Sequence, residues 1–295
     1  METAVKLLSN FLKNKDWQTL NKYGRIIGLL LYYILRSRRS VVAKNLEITT
    51  GKSNKKLQKS VFKNNFASFM EIFFAPKINE QFIVNNVEID NEKDIREFIR
   101  KNKKFVLVSA HIGSWELAPP IVSKVFKTRI AVIGRRIKNP HVDSLVAELR
   151  SSGKVEYLHH RNITGNIYEY LENNVPIGVL LDHSATKKDS IYVDFFGLRT
   201  TFNAGIPAIC IRKNIPALIC FCIRESGRIK LISYPPVYPD SKLKLKSRVR
   251  MFAKEINTIY EDIIKKYPDQ WLMLHKRFKR LEQSDGKKTD SIYRS

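Results

Sequence analysis

An α/β fold, with a mostly parallel central sheet and helices on both faces, is predicted by three features of this 295-residue chain. Short apolar runs rich in β-branched residues recur along it, and stretches of helical period separate them. One run, Phe105 to Ala110, is apolar apart from Ser109, as expected of a strand covered on both sides. Neither an internal repeat nor a linker rich in Gly, Pro or Ser breaks the alternation.

Taken in order, Val5, Leu7, Leu8, Phe11 and Leu12 form a helical apolar stripe interrupted by Lys6, Lys13 and Lys15. Ile26 to Leu35 follows, apolar apart from Gly28 and two tyrosines and flanked by Arg25, Arg36, Arg38 and Arg39. A bilayer span needs about 20 apolar residues, so this run fits either a buried core helix or a helix lying on an anionic membrane surface. The basic flanks favour the surface, with Trp17 as a further interfacial anchor. Lys52 to Pro76 reads as a helix whose aromatic stripe packs the core. A short strand over 85–90 and a helix over 92–100 lead into the Phe105 strand. Strands over 129–134, 155–158 and 177–181 then alternate with helices over 140–150 and 165–171. A helix over 203–212, strands over 217–223 and 229–232, and an amphipathic helix over 243–266 complete the pattern. The expected organisation is membrane-associated helices over 1–40, a catalytic domain over 41–281 and a disordered polar tail over 282–295.

Lys and Arg number 53 against 28 acids, a formal +25, which implies an anionic partner. Residues 1–60 hold thirteen Lys and Arg against three acids, and residues 241–280 hold twelve against four, so the two ends supply +18 of that excess. A basic nucleic-acid-binding protein would share the total, but no binding module is present and the charge surrounds apolar segments, so nucleic acid is not the expected partner. Cys210, Cys220 and Cys222 sit in apolar runs without metal-ligand spacing and read as reduced core residues. No metal or cofactor is implied. The N-terminus lacks the form of a signal peptide, so the expected location is the cytoplasmic side.

Chemistry is expected in Ser109 to Pro120, Ser-Ala-His-Ile-Gly-Ser-Trp-Glu-Leu-Ala-Pro-Pro, at the C-terminal end of the Phe105 strand. His111 leaves the strand end and Glu116 sits one turn onward, where its carboxylate can reach one imidazole nitrogen. The other nitrogen is then free to act as a base toward a hydroxyl, with no protein nucleophile. Spacing alone fits a helix-capping pair better, because His and Glu five apart recur by chance. Arg135 with Asn139, and Asp182 followed by His183, end later strands; a guanidinium suits phosphate or an oxyanion, and Asp182 suits a backbone turn or a substrate hydroxyl.

The surrounding sequence decides the question. His111 to Glu116 resembles the His-x4-Asp/Glu motif of the glycerolipid acyltransferase superfamily, in the His-x-Gly-x-Trp-Glu form of the late lauroyl- and myristoyl-type acyltransferases of bacterial lipid A biosynthesis. Arg38-Arg39, Asn45-Leu46, Arg135 with Asn139-Pro140, Leu181-Asp182, Phe195-Phe196-Gly197 and Gln270-Trp271 to Lys279 follow in that family's order, across roughly residues 20 to 280. His183 stands where many members carry Gln. The resemblance implies a glycerol-3-phosphate acyltransferase-like fold and transfer of an acyl chain from acyl carrier protein to a lipid A precursor at the inner membrane. It implies His111 and Glu116 as the catalytic relay, Arg135, Asn139 and Asp182 as substrate-binding residues, and a pocket shaped by the stretch from Phe195 to Gly205. Oxyanion donors are expected among backbone N–H groups near Gly113 or at Arg135. A lysophospholipid or another glycolipid is the alternative acceptor.

Overall fold

The computed structural model describes residues 2–159, 164–186, 190–240, 244–282, 288–290 and 292–293. Helices come first: α1 (Glu2–Lys13), α2 (Trp17–Ile34), α3 (Arg36–Thr50), α4 (Lys55–Glu71) and α5 (Glu80–Asn86). Asp16 accepts from the Thr19 amide and Asn54 from that of Leu57, each satisfying an orphan donor at a helix start. Gly24 and Gly28 let α2 approach α4 backbone to backbone: a Cβ on Gly28 would lie 2.4 Å from the Phe62 carbonyl oxygen. The buried face of α2 is Trp17, Leu20, Gly24, Gly28 and Tyr32, whereas Ile26, Leu30, Tyr33 and Ile34 face outward. Trp17 is therefore a core residue, not an interfacial anchor, because its indole Nε1 donates to the buried Glu71 carboxylate at 2.9 Å. A domain boundary at residue 40 would cut α3, which spans it.

A seven-stranded sheet runs in the order β1-β9-β8-β2-β5-β3-β4. Its strands are β1 (Val87–Ile89), β2 (Val106–Ser109), β3 (Ile130–Gly134), β4 (Val155–His159), β5 (Ile177–Leu180), β8 (Ala217–Glu225) and β9 (Arg228–Val237). β6 (Ser190–Phe195) and β7 (Leu198–Asn203) join β10 (Arg280–Glu282) and β11 (Lys288–Asp290) in a separate antiparallel sheet. The connecting helices are α6 (Glu92–Lys101), α7 (Ala118–Phe126), α8 (Pro140–Arg150), α9 (Thr164–Glu172), α10 (Gly205–Lys213) and α11 (Leu245–Lys266). Pairing in the large sheet is parallel except between β8 and β9. Ser226 and Gly227 both take positive φ in the two-residue link between those strands, and such a turn matches the twist of an antiparallel hairpin. Phe196-Gly197 does the same between β6 and β7.

Two expectations change here. Phe195, Thr200 and Thr201 are buried in the small sheet and its junction, with the Phe195 ring stacked on Phe278 at 5.7 Å, so they do not shape the main cavity. Within 282–295, expected to be a disordered polar tail, the described residues 288–290 form β11 and Tyr293 lies against Asn45 and the Phe278 amide, while 283–287, 291, 294 and 295 lie outside the described residues. Ile292 and Tyr293, two apolar residues in a polar sequence, pack against the core.

Gly28→Ala forces the α2 and α4 backbones apart and should destabilise the protein by about 1–3 kcal/mol. Gly165→Ala on α9, where a Cβ meets nothing within 4 Å, should cost nothing. Urea unfolding of both variants is the measurement, and equal midpoints would remove the close-packing account.

Candidate active site

Register builds the site. β2 and β5 are parallel neighbours with Ser109 opposite Leu180, so the residues two positions beyond each strand, His111 and Asp182, emerge side by side. The Asp182 carboxylate grips His111 twice: Oδ2 accepts the backbone amide at 3.0 Å, and Oδ1 lies 2.7 Å from Nδ1. Trp271 Nε1 also donates to Oδ2 at 2.9 Å. Burial raises the Asp182 pKa, but the His111 charge and these hydrogen bonds outweigh it and hold the carboxyl well below its ordinary range. With Nδ1 so engaged, the tautomer leaves a lone pair on Nε2. His111 lines a cavity of about 540 Å³.

The loop after His111 is fixed by its backbone. Gly113 has φ +61 and lies where a Cβ would sit 2.1 Å from the Cys222 carbonyl oxygen, so no other residue fits unstrained. Its amide donates to the Gln270 carbonyl at 3.2 Å and its carbonyl accepts from Ser68 Oγ at 2.6 Å. The Ser114 amide donates to the Cys222 carbonyl at 2.7 Å, and the Leu272 amide to that of His111 at 2.8 Å. Below the loop, Ser114 Oγ and Arg224 Nη1 both reach the buried Glu71 carboxylate.

Glu116 is where the expected relay changes partner. Its buried carboxylate receives Arg150 Nε at 2.9 Å and Nη2 at 2.6 Å, together with Trp115 Nε1 at 3.2 Å, and not the imidazole. Burial raises its pKa, but Arg150, and after it the charge on His111, bring it below the ordinary value. The physical reason is geometric: α7 begins at Ala118, so Glu116 precedes the helix and turns toward the end of α8. Asp182, from the neighbouring strand, reaches Nδ1 instead. Asn139 caps α8, accepting from the His141 and Val142 amides at 3.0 and 3.2 Å, and does not line the cavity. Arg135 lines it at the exposed end of β3, with Lys279 nearby. Asp182 is wholly buried behind His111 and is out of contact with the cavity.

His183 stacks on His111 with ring centroids 4.0 Å apart and planes 27° from parallel, and His275 lies 4.4 Å beyond. Burial, then the charge of His111, lowers the His183 pKa to about 3; burial, then Lys279, lowers that of His275 to about 4. Leu107, Pro120, Val122, Val132, Val179 and Cys220 form an apolar part of the cavity wall. Burial pushes the Cys220 thiol up to about 12, so it lines the wall without being nucleophilic. The arrangement places an imidazole with a fixed tautomer on the wall of a partly apolar cavity that Arg135 and Lys279 also line. Arg150, Tyr260, Glu71 and Arg224 were not singled out from sequence. Tyr260 anchors the end of β2 through its hydroxyl to the Ser109 carbonyl at 2.6 Å. Only the apolar period of α11 pointed inward at that position.

Comparison with known proteins matches residues 17–280 to the family described as bacterial lipid A biosynthesis acyltransferase. The lipid A biosynthesis lauroyltransferase of Escherichia coli K12 is 22% identical over 269 residues, covering 89% of this chain and 86% of that protein.

The two lowered histidines set a pH dependence. Both fold with pKa values below the ordinary 6.5, so the unfolded chain binds more protons between those values. The stability they contribute is present above about pH 6.5 and falls as the pH drops toward about 4 and 3. Urea midpoints should therefore decline between about pH 7 and pH 5, and the double variant His183→Gln, His275→Gln should flatten that decline. An unchanged slope would show that other groups cause it.

Proposed function

The chain belongs to the bacterial lipid A biosynthesis acyltransferase family and is an O-acyltransferase of that class, and we propose that it uses His111 as a general base in direct transfer from a thioester. The observation that carries this reading is the His111–Asp182 pair, with the imidazole on the cavity wall and the carboxylate buried behind it. Asp182 holds Nδ1–H, so Nε2 takes the proton of the acceptor hydroxyl as its oxygen attacks the thioester carbonyl. The carbonyl π pair moves to oxygen. Collapse re-forms C=O and breaks the C–S bond, and the departing thiolate takes the proton from the His111 imidazolium.

Glu116 has a second role in this reading. Its bidentate pair with Arg150 forms part of the cavity wall beside the base, and its charge favours the imidazolium. The apolar chamber suits the acyl chain, and the Arg135 and Lys279 rim suits anionic substrate groups. An acidic acyl carrier protein is the donor that best complements a surface carrying +25. The acceptor on this reading is a lipid A precursor at the cytoplasmic face of the inner membrane. Support for membrane contact comes from the outward faces of α1 and α2, where Leu7, Leu8, Phe11, Ile26, Leu30 and Ile34 are exposed among basic residues. No helix among the described residues is long and apolar enough to cross a membrane.

His111→Ala should lower turnover by about 10²–10⁴ with the fold intact. Asp182→Asn, which loses the carboxylate that fixes the tautomer, should approach that loss, and Glu116→Gln should fall between. Transfer assays with circular dichroism as a folding check decide it; near-normal turnover by folded His111→Ala ends the base assignment. Leu30→Glu with Ile34→Glu should weaken binding to vesicles of phosphatidylglycerol and phosphatidylethanolamine by about tenfold or more, without changing the unfolding midpoint. Undiminished co-sedimentation would place the membrane contact elsewhere.

A further inference from the structure

The tetrahedral intermediate needs a fixed hydrogen-bond donor beside the base, and several N–H groups around His111 are already engaged. The Gly113 amide donates to Gln270, the Ser114 amide to Cys222, and the His111 amide to Asp182. Trp115 Nε1 and the Arg150 fork both donate to Glu116. Arg135 lines the cavity but is exposed, with a full charge at the rim rather than a fixed N–H beside the base. Among the described residues His183 stands beside the base, uncharged and with no hydrogen bond on its ring.

We propose that His183 is a catalytic residue whose imidazole N–H holds the oxyanion formed when the acceptor hydroxyl attacks the thioester. The inference rests on the reading of His111 as the base. His183 lines the same cavity, and its ring lies nearly parallel to that of His111 at 4.0 Å. Among the described residues its ring makes no hydrogen bond. A neutral imidazole always carries one N–H. An acceptor oxygen bonded to Nε2 of one stacked ring brings the carbon it attacks to the edge of the other, within the roughly 3 Å reach of an oxyanion donor. Burial and the His111 charge keep His183 neutral at physiological pH. It therefore does not compete for the hydroxyl proton and does not repel the imidazolium. His275, on its far side, uses Nε2 to accept the Ser184 amide at 3.4 Å, backing the ring without displacing it.

Donor and spacer roles separate by substitution. His183→Gln keeps a neutral N–H and loses the stacked ring, whereas His183→Phe keeps a stacked ring and loses the N–H. Transfer is measured with a lipid A precursor as acceptor and whichever of lauroyl-acyl carrier protein and lauroyl-coenzyme A the unaltered protein uses, with thermal unfolding confirming the fold. Expected are a fall in kcat of about 10²–10³ for His183→Ala with KM little changed, the same fall for His183→Phe, and recovery of most of kcat in His183→Gln. An active His183→Phe, a His183→Gln as impaired as His183→Ala, or a near-normal His183→Ala overturns the proposal. His111→Ala in the same assay reports on the base independently, so failure of one reading is not failure of the other.

Discussion

Parallel pairing of β2 with β5 is the constraint from which the site follows. Strands that begin from separate crossovers have no local reason to end together, yet Val106 opposite Ile177 and Ser109 opposite Leu180 fix both ends at one level. A slip of one residue would turn every side chain of β5 to the other face and carry Asp182 away from His111. Burial makes that slip costly, because both strands lie in the core and have no solvent face to exchange with it. The same order puts β3 on the far side of β5, which is why Arg135 arrives at the rim rather than at the imidazole.

The loop carrying His111 has no regular structure, and buried polar side chains supply the order that a ladder would. Asn65 donates to the Trp271 carbonyl at 2.9 Å, and Asn45 to those of Met273 and His275 at 2.8 and 2.9 Å, so α3 and α4 hold the C-terminal segment against the loop. Gln270 imitates a strand, exchanging two hydrogen bonds with the Arg224 backbone at 3.0 and 2.8 Å. Beneath it, Glu71 collects Trp17, Asn21, Ser114 and Arg224. Removing Arg224 would leave the buried Glu71 charge unpaired, at about 3–5 kcal/mol. The interaction is therefore weak evidence for net stability and strong evidence for a single geometry of the loop.

Strands and helices of the large sheet were legible because their apolar periods are local properties, and His111 was legible because a strand end followed by glycine is. The partner of His111 was not. Glu116 is near in sequence and Asp182 is 71 residues away, so spacing favoured the wrong carboxylate, and only strand order reveals the right one. Arg150, which claims Glu116, ends a helix 34 residues on without any motif to mark it. Trp17 carried an amphipathic flank that suits a membrane or a core equally; the buried Glu71 that decides between them lies 54 residues away. Two strands of the small sheet, β10 and β11, escaped notice because they are three residues long and lie in polar sequence, where periodicity carries no signal.

Charge balance explains why two carboxylates beside one histidine take different partners. Glu116 is neutralised by a permanent cation through two parallel hydrogen bonds, so at a distance the pair acts as a dipole and contributes shape and a modest field. Asp182 has no such ion pair; apart from the His111 imidazole it accepts from the Trp271 indole N–H and the His111 backbone N–H, both uncharged. Arg277 is buried nearby, its pKa pushed down to about 10 by burial, but its guanidinium lies over the Phe195 ring and donates to Thr200 Oγ1. The charge of Asp182 is therefore matched directly only when His111 takes a proton. Exchange these partners, with a fixed arginine on Asp182, and the imidazolium would lose the field that stabilises it relative to the resting base. On the proposed mechanism the arrangement reserves its strongest electrostatic contact for the protonated His111 formed during transfer, which is the condition for lowering a barrier rather than tightening ground-state binding.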